Sequence, residues 1–383
     1  VNGAALRVEA ALTPAARRDF LDLPYNAYRA DPAWRAPLRF ERAEQIDPKH
    51  NPGLARMDAA LFVAYRGQTP AGRIAAFVNP AHIEQNGGAT GHFGFLDTLA
   101  PDPEAVAGLV SAAKDWLRAR GMGAMAGPFN FSVNEECGLL VDGFEAPPKV
   151  MMPHGRPDYA PALEALGFKP VMNMYAFLHR MEETYATPRL VARMIRRFEK
   201  DPGLEIRPLD TANFRREVEM VMDIFNDAWS ENWGYVPFSA DQIAHMAASL
   251  RPLIRPDGLW IGLADGEPVH FTLMIPDLNE AVHGLDGRLF PFGWLQLLNR
   301  LKLRGTRGAR IPLAGTRRAF HKSPRAMSLN SAAFDACMKT QHARGVREVE
   351  FSWVLETNSD LINLVSVYGG ERYKTYRIYE TQL

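Results

Sequence analysis

IPLAGTRRAFHKSPRAMSLNSAAFDACM, residues 311–338, opens as an apolar strand, turns through a basic loop containing Gly315, and closes as a helix expected from about Ser328. A strand that runs through such a loop onto a helix N-terminus forms an anion cradle, because free backbone N–H groups and the positive helix end point into it. Arg317, Arg318, His321, Lys322 and Arg325 lie in the loop, and no acid occurs between Gly315 and Asp335. The stretch is expected to receive a phosphorylated ligand; the plainer alternative is a solvated basic loop.

Upstream, Leu6–Ala10 alternates as a short strand, and Thr13-Pro14 caps a helix over 15–21. ALFVAYRG and TPAGRIAAFVN read as two strands around a turn, and HFGFLDTL as a third. Val106, Leu109, Val110, Ala113, Trp116 and Leu117 recur at helical spacing up to Gly121. AMAGPFNF (124–131) reads as a fourth strand, Tyr159–Leu166 as a helix and VMNMYAFLHRM as a closing strand. After a connecting helix within 181–202 the order begins again: strand 204–209, helices 214–229 and 240–250, and a strand pair around Asp265-Gly266. An amphipathic interruption within 277–307 carries Trp294, Leu297, Leu298 and Leu301 on one side. The series resumes with the strand ending at Ala314, a helix over 328–344 ended by Gly345, a strand over 346–355, a helix over 358–368 and the last strand, RYKTYRIYE. One supersecondary plan occurs twice.

The bulk properties exclude more than they assign. A chain of 383 residues suggests two domains, and 47% hydrophobic with 23% charged residues is ordinary for a globular protein. Forty-four basic residues balance forty-four acidic ones, so no global field favours nucleic acid. Cys137 and Cys337 form no C-x-x-C pair, and the histidines lie at no ligand spacing, so neither a disulfide scaffold nor a metal site is expected. No apolar leader and no membrane-length run is evident, which makes a cytoplasmic location the expectation. A membrane-surface role asks for more cations than Arg300, Lys302 and Arg304 supply, so no membrane partner is expected.

EVEFSWVLETNSDLINLVSVYGGERYKTYRIYE in the second half and YAPALEALGFKPVMNMYAFLHRM in the first resemble the closing strands, helix and glycine turn of the GNAT superfamily of acyl-CoA-dependent N-acyltransferases. The Gly315–Arg325 loop falls where that family binds pyrophosphate. More narrowly, GPFNFSVNEECGLLVDGFEAPPKVMMPH (127–154), ENWGYVPFS (231–239) and PDLNEAVHGLDGRLFPFGWLQLL (276–298) resemble a bacterial group of tandem GNAT-like proteins, to which the resemblance attaches no substrate. It implies two mixed-sheet α/β (α+β) domains in tandem: 1–190, a linker at 191–203, and 204–383. It also implies acyl-CoA, such as acetyl-CoA, as co-substrate, held by Leu313, Gly315, Thr316, Arg317, Arg318, Lys322 and Arg325. In the first half the corresponding loop, LAPDPEAVAGL, is acidic at Asp102 and Glu104 and is expected to repel a diphosphate. The family's acid-role tyrosine falls at Val365, so a proton donor is lost or relocated.

Two carboxylates are candidate general bases. Glu136 ends a polar run in which Asn130, Ser132 and Asn134 are expected to orient an amine; an Asx/Ser turn is the plainer account. Glu356 follows strand VEFSWVL with Asn358, which doubles as a helix cap. Trp233 and Tyr235, in an aromatic group with Trp229 and Phe238, are candidates to line the substrate mouth. The reading is an N-acyltransferase acting on a small-molecule amine or peptide, with an oligomer compatible with the sequence. The alternatives are an inactive tandem ligand- or protein-binding module and a tRNA-dependent aminoacyl transferase; the latter would show a basic face this balanced chain lacks.

Overall fold

A computed structural model describes residues 4–251 and 254–383. Seven strands precede the repeat: β1 Leu6–Ala10, β2 Asp58–Arg66, β3 Thr69–Val78, β4 Thr90–Thr98, β5 Ala124–Gly127, β6 Leu139–Asp142 and β7 Lys169–Arg180. Six follow: β8 Leu204–Pro208, β9 Leu259–Ala264, β10 Glu267–Pro276, β11 Gly308–Thr316, β12 Glu348–Leu355 and β13 Glu371–Gln382. The chain forms two compact units. One comprises Val1–Tyr175, Val282–Gly293 and Lys374–Leu383; the other comprises Ala176–Ala281 and Trp294–Tyr373.

In the first unit, β1 to β4 form an antiparallel meander and β5 joins β4 in parallel. A parallel neighbour needs a crossover, and the helix Pro103–Arg118 supplies it. Asp102 caps that helix and Pro103 takes its first position, where the missing N–H costs nothing. Its buried face, Val106, Leu109, Val110, Ala113 and Leu117, packs with Phe62, Ile74, Phe93 and Met125 into the core. The second unit repeats the plan: β8 to β11 are antiparallel, β12 joins β11 in parallel, and the helix Pro324–Ala343 crosses between them. Leu329 of that helix meets Leu204, Ala264 and Val269. The mixed α/β class and the doubled plan are as expected.

Two local expectations need correction. The fourth strand stops at Gly127 instead of Phe131, because Pro128 has no N–H to continue a ladder. The crossover helix begins at Pro324, not Ser328: Ser323 accepts from the Ala326 N–H at 3.0 Å, and Pro324 is its first residue. Arg325 therefore sits in the first turn of the helix, and Arg318–His321 makes a separate helical turn. The compact units also differ from the expected partition at 190 and 204. The C-terminal strand, expected to complete the second half, pairs antiparallel with β5 from Tyr379↔Gly127 to Gln382↔Ala124. The connecting helix expected within 181–202 is Arg189–Phe198, which overlaps most of the segment named as the linker, 191–203.

Candidate active site

The parallel pair of the second unit opens into a fork. β11 and β12 share four rungs, from Gly308↔Glu348 to Ile311↔Phe351, yet β11 continues to Thr316 and β12 to Leu355. The register with β10 slips between Leu273↔Leu313 and Ile275↔Arg310, so β11 carries an extra residue there. Such a bulge bends a strand and interrupts its ladder. Carbonyls on the opened edges need other donors. Ala314 O accepts from the Trp229 indole at 3.1 Å, and Ser352 O accepts from Arg310 Nη2 at 3.1 Å.

At the base of the fork lies a polar network that sequence reasoning missed. Arg310 and Glu350 occupy one rung, both fully buried, with Nε and Oε1 3.5 Å apart. Arg310 Nε donates to Ser352 Oγ at 2.8 Å, and Ser352 Oγ donates to Glu350 Oε1 at 2.6 Å. The half-buried Tyr373 donates its hydroxyl to Glu350 Oε2. The arrangement joins a buried carboxylate to a half-buried phenol, which can carry a proton between the network and a bound molecule. At the far end of β11, His270 on β10 is bonded through Nδ1 to Thr316 and through Nε2 to Thr272, each at 2.9 Å. Burial lowers its pKa to about 3, so the ring is neutral.

The basic loop is less cationic than its sequence. Arg317 Nη2 bonds Asp223 at 2.5 Å, and its Nε donates to Pro268 O at 3.0 Å. Arg318 Nη1 bonds Glu231 at 2.5 Å, and its backbone N–H bonds Asp227 at 2.8 Å. Arg325 holds Asp201 and Asp265, both acids raising its pKa. Three guanidinium groups thus face five carboxylates, all from distant parts of the chain. Asp223, Glu231 and Asp265 are about two-thirds or more exposed, so these pairs are individually weak and exchangeable. Lys322 is exposed. Leu313 pairs with Leu273, while Gly315 is packed so closely that a Cβ would lie 2.9 Å from Phe271 and 3.2 Å from Ala228.

The polar run of the first unit is mainly a brace. There the β4–β5 ladder has three rungs, ending at His92↔Ala126, and the space beyond is filled. Phe129 N–H donates to Phe93 O at 2.7 Å, and Asn130 Oδ1 accepts from Phe95 N–H at 2.9 Å. Ser132 Oγ accepts from the Asn134 N–H at 3.1 Å, the turn its sequence allows. Glu136 forms an ion pair with Arg42 and accepts from Asn130 Nδ2 at 2.8 Å. Burial pushes its carboxyl up, but Arg42 outweighs that and holds it below the usual range, a poor setting for a general base. Its neighbour Glu135, bonded to Gln45 at 2.8 Å, is pushed by burial up to about 7.

The other expected residues lie away from the Arg310–Glu350 rung in sequence. Glu356 is exposed, and Asn358 caps the helix Ser359–Val367 by accepting from the Leu361 N–H at 3.0 Å. Tyr235 is buried and donates to Asn226 at 2.8 Å; Trp233 is half-buried. Among the described residues, no cluster of three or more His, Cys, Asp or Glu is placed to hold a metal.

No family model matches the chain. It is 39% identical to the bacterial ceramide synthase of Caulobacter vibrioides (strain NA1000 / CB15N) over 97% of this chain and 96% of that one. It is 37% identical to Protein YghO of Escherichia coli (strain K12) over 95% of this chain and 92% of the other. Among solved structures it resembles a tandem GNAT protein from the clavulanic acid biosynthesis pathway, with TM-score 0.58, 13% identity, and coverage of 99% of this chain and 98% of that one. At that identity the likeness shows the fold, which is tandem GNAT.

Proposed function

Because the chain belongs to the same family as the bacterial ceramide synthase of Caulobacter vibrioides and Protein YghO of Escherichia coli, we propose that it is an N-acyltransferase joining an acyl group from acyl-CoA to the amine of a long-chain amino alcohol. Ceramide, the product named for that relative, is such an amide. The observation that carries the reading is the fork between β11 and β12 with Arg310, Glu350, Ser352 and Tyr373 at its base.

Amide formation forms a C–N bond, breaks a C–S bond, takes one proton from the amine and returns one to the departing sulfur. The Glu350 carboxylate accepts the first proton through the Tyr373 hydroxyl, which passes on its own as it takes the amine's. Arg310 and Ser352 fix that carboxylate, so the Tyr373 hydroxyl is oriented before substrate arrives. The donor would be held by Leu313, Gly315, Thr316, Arg317, Arg318, Lys322 and Arg325, its phosphate groups falling to the cations and displacing the exposed acids Asp223 and Glu231. In this reading Glu136, Asn130, Ser132 and Asn134 shape the first unit, while Glu356 and Asn358 belong to the turn after β12.

The charge balance at the loop favours a second reading, a tandem module that binds a ligand and transfers nothing. One experiment separates the two: incubation with a long-chain acyl-CoA and a long-chain amino alcohol, following free thiol by colour and amide by mass. Matched yields of thiol and amide support the transferase. Binding of either substrate with neither product supports the module.

A further inference from the structure

Among the described residues twelve large hydrophobic side chains are strongly exposed, and half of them fall within fourteen residues: Phe290, Phe292, Trp294, Leu295, Leu298 and Leu303. The last four lie on the helix Gly293–Leu298 and its continuation as a wider turn of helix over Asn299–Arg304, in the second unit, and neither segment buries a residue. Phe290 and Phe292 precede it in the chain at 83% and 68% exposure. An amphipathic element that ordinarily covers a core here turns its leucines and tryptophan to solvent, which marks an interaction surface.

The charge along this stretch of the chain is one-sided, with Glu280 held on the Arg307 and Gly308 N–H groups and Asp257 on Arg344. No Asp or Glu occurs between Asp286 and Asp335, while Arg288, Arg300, Lys302, Arg304 and Arg307 do. Lys302 and Arg304 are exposed beside Leu303. They also line, with Arg255 and Arg344, a cavity of about 230 Å³ whose apolar wall includes Met274 and Leu301. Arg344 is engaged by Asp257 at 2.6 Å, and Arg255 donates to Leu301 O at 3.1 Å. Aromatic and leucine side chains next to basic ones suit the boundary between acyl chains and anionic headgroups. A second copy of the chain fits less well, since an isologous contact through this element would set its cations against themselves.

We propose that the helix Gly293–Arg304 docks on an anionic bilayer surface, with Trp294, Leu295, Leu298 and Leu303 entering the interface and Lys302 and Arg304 meeting lipid phosphates. Among the described residues no helix is long and apolar enough to cross a membrane, so the contact is peripheral. The sequence alone weighed against it, because Arg300, Lys302 and Arg304 are few cations for such a face; the fold brings Arg255 and Arg344 beside them. The proposal does not depend on acyl transfer, since binding is read without turnover.

The test is flotation of the full chain with vesicles of phosphatidylcholine alone and of phosphatidylcholine with phosphatidylglycerol in a two-to-one ratio. The wild type is expected to float with the anionic vesicles and to be released by raised salt. Leu295→Ser with Leu298→Ser, and separately Lys302→Glu with Arg304→Glu, should each lower partitioning by about tenfold or more. The charge pair is exposed, so that variant keeps its fold and decides the matter if the leucine variant melts early. Absence of wild-type flotation, undiminished flotation of the charge variant, or a dimer by light scattering that the leucine variant abolishes while vesicles bind nothing would each overturn it.

Discussion

Arg310 and Glu350 sit on one rung of the parallel ladder, without solvent exposure and 3.5 Å apart, one rung before β11 and β12 diverge. Charges so placed are costly to desolvate and are retained where their neighbours are fully bonded. Here Ser352 bridges the pair, and Arg310 also serves the Ser352 carbonyl. The network thus closes the end of the fork while leaving the Tyr373 hydroxyl as its half-buried outlet.

Breaking that pair leaves a buried charge unmatched. Arg310→Met or Glu350→Leu should each cost about 3–5 kcal/mol, whereas the double substitution should recover most of the loss. Urea midpoints of the four proteins measure this. Additive losses in the double variant would show that the two residues are energetically independent.

Tyr373→Phe removes one hydrogen bond and the proposed proton outlet. Stability should fall by only about 1–2 kcal/mol. The kcat for amide formation should fall by roughly a hundredfold or more, with the KM for acyl-CoA little changed. A raised KM at unchanged kcat would assign Tyr373 to substrate binding.

How far the sequence reaches depends on the range of each interaction. The strands other than β6, both crossover helices and the Thr13 and Asn358 caps rest on local signals, and they are legible. Ser323-Pro324 carried the true helix start as well. What stayed hidden is non-local. RYKTYRIYE reads as a strand, but nothing within it tells that Tyr379 pairs with Gly127. Arg310 and Glu350 look like stray charges in apolar strands until the parallel register sets them side by side. The arginines of the basic loop are quenched by acids at least 60 positions away in sequence.

Gly94 tests why the first unit lacks an open fork. A Cβ there would lie 1.7 Å from the Phe129 carbonyl oxygen, so the backbone of the 128–131 segment would have to move. Gly94→Ala should destabilise the protein by about 1–3 kcal/mol or more while leaving acyl-CoA affinity intact. Thermal melting and calorimetry check the two halves of that statement; a loss of affinity at wild-type stability would place the donor in the first unit.

Glu135 gives the pH dependence a sign. Its ordinary value is 4.5, and burial raises it to about 7, so between these values the folded chain binds a proton that the unfolded chain has lost. The carboxyl therefore costs no stability below about pH 4.5, and an increasing amount as pH rises through 7. Glu135→Gln should stabilise by on the order of 2–3 kcal/mol at pH 8 and leave stability unchanged at pH 4. Urea midpoints at the two pH values measure it. An equal effect at both would contradict the half-buried, proton-holding carboxyl.

The most direct measurement is the single-turnover rate of thiol release for the wild type and Glu350→Gln, with excess enzyme, a long-chain acyl-CoA and a long-chain amino alcohol. Folding of the variant is verified by near-ultraviolet circular dichroism. The account predicts a rate lower by about a hundredfold or more in Glu350→Gln, with acyl-CoA still bound. A folded Glu350→Gln protein that releases thiol and forms amide at the wild-type rate would contradict it.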